Sequence, residues 1–308
     1  MKQHFIPRVY INNFTFNDSG QVYSIKMDAY TRNNIIKIIH SSQFGYSRNL
    51  YTISEKLSAS IGVDRLIIEK KAFKYEKALL FNISEKLNQN QFISESDIAD
   101  LIKMLLSIKQ RNKIHYDTLR NPVIQKYLIE RALSGIVESS HKYRAIQGDD
   151  KIDSIIKLLK KLLEEGLHDK QGTNDVLNST LLNIHSGTLP KHNHFNLFME
   201  SRKIIIYQTS LGNPFITSDN PGFTIHPGNI VGNLNFGSAI AFVFPITPTR
   251  LIYIDMEKAS TMLNGTKTIE YREANNELIN LANLATKNNS ANYLFSNSKD
   301  MLENIIKT

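Results

Sequence analysis

Apolar residues recur at helical spacing from about residue 65 to residue 200, whereas both ends of the chain read as strands. Short strand segments are not stable alone, so those at the start must join a sheet built by the end of the chain. The expected fold is therefore α+β: a mixed or antiparallel sheet formed by N- and C-terminal strands, with a large helical insertion in the middle. One domain over residues 1–308 accommodates this. It comprises N-terminal strands (1–45), a helical region (65–200), and a sheet with a closing helix (203–296).

Local signals give the expected elements. A turn cluster, Asn17-Asp-Ser-Gly20, separates two apolar runs and predicts a hairpin over residues 8–26, with residues 35–39 as a third strand. A single helix is expected over 65–87. Ser94 and Asp97 have the spacing of a capping box, and Asn121-Pro122 offers an N-cap followed by proline. An amphipathic helix is expected over 151–167. Strands are expected at 203–207, 215–217, 223–225, 239–244 and 250–254, with the turn between the last two at 245–248. A helix over 269–287 and a strand at 292–295 close the chain.

Polar residues break this pattern in informative places. Glu69 and Glu76 lie two turns apart, in the middle of the apolar half of the 65–87 wheel. A buried carboxylate needs a cation, a metal or strong donors. Either an arginine from another helix forms a structural salt bridge, or the carboxylate works as a base or ligand. In the next helix the stripe Leu101, Leu105 and Ile108 runs on into Asn112 and His115, with Arg111 at its edge. Two neighbouring helices thus turn polar on their inward faces.

Composition bounds the function classes. There is no cysteine, hence no disulfide and no thiolate chemistry. No apolar run is long enough to span a membrane, and the first residues lack the apolar core of a signal peptide, so a cytoplasmic location and no membrane partner are expected. Residues 1–170 hold 27 Lys+Arg against 19 Asp+Glu, and residues 171–308 hold 10 of each. A basic first half suits nucleic acid or another polyanion, and equally a solvated lysine surface. His185, His192 and His194 fall in a loop-like stretch without a nearby carboxylate, and Ser218-Asp219-Asn220 lacks the companion motifs of penicillin-binding enzymes.

Three stretches resemble a bacterial family named domain of unknown function 4238. They are residues 4–14 (HFIPRVYINNF), residues 214–221 (PFITSDNP), and the closing helix and strand from Asn276 to Ser296. The resemblance spans nearly the whole chain. It implies a mixed α/β fold with the two chain ends close together, and no known activity. The middle departs from the family, which tends to have a proline soon after the arginine of the second long helix, where Asn112-Lys113 stands here.

The candidate site residues are His4, Glu76, Arg111, Asp219 and Asn220. Convergence of histidine, carboxylates and a cation at one sheet edge would suit a hydrolase acting on a phosphate-containing substrate, nucleic acid or nucleotide. His4 would be a base or metal ligand, Glu76 and Asp219 a ligand or base, and Arg111 an anion holder. A metal there would be hard, such as Mg or Mn. The alternative is a non-enzymatic binding or sensing module in which these groups form a buried structural network, with Asp219 and Asn220 capping a turn.

Overall fold

The computed structural model describes residues 2–27, 35–44, 46–73, 76–111, 113–147, 149–168, 171–172, 174–175, 178, 181, 201–233, 236, 238–258 and 269–308. In chain order the first elements are β1 (Lys2–His4), α1 (Arg8–Asn12), β2 (Gln21–Lys26), β3 (Ile36–His40) and β4 (Tyr46–Arg48). The helices α2 (Glu55–Ile61), α3 (Glu76–Asn88), α4 (Glu95–Gln110), α5 (Lys113–Leu119), α6 (Pro122–Gln147) and α7 (Asp149–His168) follow. Then come β5 (Ser201–Gln208), β6 (Thr217–Ser218), β7 (Phe223–His226), β8 (Ile230–Gly232), β9 (Ala241–Thr247), β10 (Arg250–Lys258) and β11 (Ile269–Glu273). The chain closes with α8 (Asn276–Asn289), β12 (Tyr293–Ser296) and α9 (Lys299–Lys307).

The fold is α+β. One sheet has the order β11-β5-β10-β9-β7-β8, antiparallel except for the β11–β5 pair. A second, wholly antiparallel sheet has the order β3-β2-β12-β6, so the two ends of the chain pair directly through β2 and β12. β1 pairs with β4.

The period of two along a strand explains the layering. On β9, Phe242, Phe244 and Ile246 join the core that holds α3 and α4, while Ala241 and Val243 face Ile279, Ala282 and Ala285 of α8. β9 is buried along its whole length because helices cover both faces. Each such ring, fully buried, stabilises the fold by roughly 1.5–3 kcal/mol. The second sheet sends Val22 and Phe295 into the first core and Ile25, Ile216 and Leu294 against Leu302 and Ile305 of α9.

Helix ends are tied explicitly. The Ser94–Asp97 capping box opens α4, and Asp97 also pairs with Lys86 of α3 at 2.8 Å. Val123 N–H donates to Asn121 Oδ1 at the start of α6. Arg250 donates to the carbonyls of Leu87 and Asn88, placing a cation at the C-terminal end of α3 and clamping that helix to the sheet.

Several local expectations give way to tertiary structure. Residues 8–12 form a helix rather than the first strand of a hairpin. The run is too short for its β-branched residues to decide, and burial of Tyr10 and Ile11 wins. The helix expected over 65–87 is interrupted: Ile68–Ala72 is a π-helical turn in which Phe73 N–H reaches Ile68 C=O, and α3 starts only at Glu76. Residues 269–273 are strand β11, and the following helix starts where Asn275 accepts from Leu278 N–H. Pro245 lies inside β9, so the turn to β10 comes later than 245.

Candidate functional site

Residues 214–222 carry the chain from one sheet to the other: β6 belongs to the four-stranded sheet and β7, five residues on, to the six-stranded one. Nearly every residue of this crossing is tied to a different element. Asn283 of α8 donates to Pro214 C=O and accepts from Ile216 N–H, and Phe215 N–H donates to Pro248 C=O. Tyr10 donates to Pro245 C=O at 2.6 Å and shares a hydrogen bond with Thr217 Oγ1, also 2.6 Å, so one hydroxyl links both sheets. Burial pushes that phenol far above its ordinary range, so it stays protonated.

Asp219 is held by the loop between α8 and β12. Its Oδ1 accepts from Ala291 N–H and its Oδ2 from Asn292 N–H, both at 2.8 Å, with the Asn292 side-chain amide at 3.4 Å. Burial pushes this carboxyl up, and the backbone donors of Asn292, Tyr293 and Ala291 pull it back. Asp219 also borders a cavity of about 90 Å³. Phe5, Ile6 and Ile11 line it from the start of the chain, and Asn292, Tyr293 and Phe295 from its end, with Phe44 between. Phe44 stands edge-on to both Tyr293 and Phe295, at 5.7 and 4.3 Å between ring centroids, and the latter two are nearly parallel. The cavity therefore brings together the opening, crossing and closing stretches of the sequence.

Asn220 is fully buried. Its amide donates to Asn233 Oδ1 and Asn289 C=O, and its Oδ1 accepts from Lys109 Nζ at 2.9 Å. Lys109 also donates to Gly222 C=O at 2.6 Å, and burial holds its amine well below the usual lysine range. Gly222 has φ +76°, and a methyl there would run into the Phe244 ring. Lys109 was not among the expected residues, although it continues the stripe of Leu101 and Leu105 at four-residue steps. α4 is buried nearly all round, so a lysine on its inner side had to find partners.

A second polar cluster sits at the end of α4. Arg111 Nη2 meets Glu76 Oε1 at 2.6 Å with both side chains buried, and the guanidinium lies 4.3 Å over the Phe73 ring. Arg111 Nε has no hydrogen-bond partner among the described residues. Tyr51 packs edge-on against Phe73. Glu69, half-buried in the π-helical turn, feels both Arg111 and Glu76; burial raises its carboxyl, Arg111 opposes this and Glu76 reinforces it. Burial also raises Glu76, with Arg111 opposing.

The expected residues thus fall into separate groups. Glu76 and Arg111 pair with each other. Asn220 joins Lys109, and Asp219 joins the 291–293 loop. Among the described residues, no hydrogen bond connects Asp219 to Glu76 or Arg111. His4 lies in β1 opposite Tyr46, next to Phe5 of the cavity wall. The side chains of His4 and His115, the residue Asn112, and His185, His192 and His194 lie outside what is described. Among the described residues, no group of three or more His, Asp or Glu could hold a metal ion, and no helix is long and apolar enough to cross a membrane.

A family model described as "Protein of unknown function (DUF4238)" matches residues 2–300, nearly the whole chain. Comparisons with curated proteins and with solved structures found no match.

Proposed function

The chain belongs to the DUF4238 family, and from that premise we propose that it is a small-ligand binding module whose pocket is the Asp219 cavity. The observation that carries this reading is convergence. Residues from the family's opening, crossing and closing stretches all border one partly open cavity of about 90 Å³. Aromatic walls with a few polar groups, here Asp219 and Asn292, are the usual make-up of a ligand site. The ion pair Glu76–Arg111 and the Lys109–Asn220 bridge are sealed from solvent and act as scaffold. A fragment screen by ligand-observed NMR tests it. Hits on the wild type should vanish in a folded Phe5→Trp protein, whose larger ring fills the cavity. Hits that persist in that variant would overturn the reading.

A second reading, a hydrolase acting on a phosphate-containing substrate such as nucleic acid, is favoured by one observation at the other cluster. Glu69 is half-buried, burial raises its carboxyl, and it lies within electrostatic reach of Arg111. A raised, half-exposed carboxyl is suited to general acid catalysis. The basic first half of the chain would draw in a polyanion. Hydrolysis of a phosphodiester or of RNA that disappears in Glu69→Gln would favour this reading over the first.

A further inference from the structure

Resting on the pocket reading above, we infer that the cavity takes a small organic ammonium ion. Four of the eight residues lining the space are aromatic: Phe5, Phe44, Tyr293 and Phe295. The faces of Tyr293 and Phe295 are nearly parallel, with Phe44 edge-on against both. Aromatic rings carry negative charge on their faces, so a set of them around a small cavity attracts a cation that also has apolar surface.

The acidic side chain on the wall is Asp219. Asp219 is fixed by two backbone N–H groups at 2.8 Å, one to each oxygen; burial raises this carboxyl, and those donors oppose the rise and hold it in position. A neutral apolar ligand would leave that charge facing it without compensation, and an anion would be repelled. A hydrated metal ion would gain nothing from the apolar wall. An alkylated ammonium satisfies both features at once: methyl groups against rings, positive charge beside the carboxylate. About 90 Å³ limits the bound group to a small head such as a methylated ammonium.

Tetramethylammonium chloride is the probe, with tert-butyl alcohol as a neutral ligand of similar shape and sodium chloride as the salt control. Binding to the full chain is read by NMR titration, together with Phe44→Leu and Tyr293→Leu, whose folding is checked by thermal melting. The expected result is saturable tetramethylammonium binding, about tenfold tighter than the alcohol, weakened about tenfold by either leucine variant. Equal binding of alcohol and cation at this site would overturn the ammonium inference while leaving the pocket reading intact. Binding of neither probe, with no fragment hits removed by Phe5→Trp, would overturn both. Cation binding unchanged in both folded leucine variants would also overturn the inference, because the cation would then bind elsewhere.

Discussion

Lys109 Nζ donates to Asn220 Oδ1 at 2.9 Å across 111 residues of sequence, fastening the buried helix α4 to the turn where the chain passes between the two sheets. The same amine reaches Gly222 C=O, so both ends of that turn hang on one side chain.

Replacing it should therefore cost stability in a pH-dependent way. Lys109→Met leaves two buried acceptors short of a donor, a loss of about 1–3 kcal/mol. Burial holds the folded amine below its unfolded pKa, so the unfolded chain binds more protons in the window between the two values. Wild-type stability gains from this group as pH rises through that window, and the variant lacks the gain. The difference between wild type and Lys109→Met in urea denaturation should widen from neutral to alkaline pH; a narrowing gap would contradict this account.

The Glu76–Arg111 pair should behave as a unit. Arg111→Met strands a buried carboxylate and should destabilise by about 3–5 kcal/mol. Removing both charges with Glu76→Leu and Arg111→Met should restore most of that loss, because neither buried charge is then left alone. Denaturant midpoints of the two single variants and the double variant measure the coupling. Additive losses would show that the pair is not a unit.

Glu69 should make the protein lose stability as pH rises. Its folded carboxyl is raised above the unfolded one, so its contribution is full below the unfolded pKa and falls away as pH climbs through the folded value. Glu69→Gln removes that slope. The variant's advantage over wild type should grow from acid toward neutral pH in thermal melts. A constant offset would mean that the carboxyl is not raised.

Two glycines at positive φ separate backbone strain from packing. Gly62 ends α2 at φ +66° with open space around it, so Gly62→Ala should cost about 1–2 kcal/mol from the left-handed backbone alone. Gly222→Ala carries the same strain and also drives its methyl into Phe244, adding about 1–3 kcal/mol. Equal losses at the two positions, measured by chemical denaturation, would show that the crossing has room to relax.

Features set by near neighbours were legible in the residues. The Ser94–Asp97 capping box and the Asn121 cap each involve groups within three positions, and both form as expected. The strands around 203–207, 223–225, 239–244 and 250–254 showed in their runs of β-branched and aromatic residues. The pairing of the chain ends followed because short strands need partners. Even the anomaly of a glutamate on an apolar face was visible, as a demand for a cation, a metal or strong donors.

Which cation answered was not visible. Arg111 stands 35 positions from Glu76, and choosing it over other arginines required the packing of α3 against α4. The π-helical turn before α3 was likewise not visible, and Phe73 at its end sits under that guanidinium. Local propensity acts over one turn of helix or one strand pair, whereas the cavity wall draws on residues 5 and 295. The sequence alone marked Glu69 and Glu76 as needing partners; the tertiary fold added Lys109 to that set and decided every partner, because only chain topology brings distant donors, acceptors and rings within contact distance.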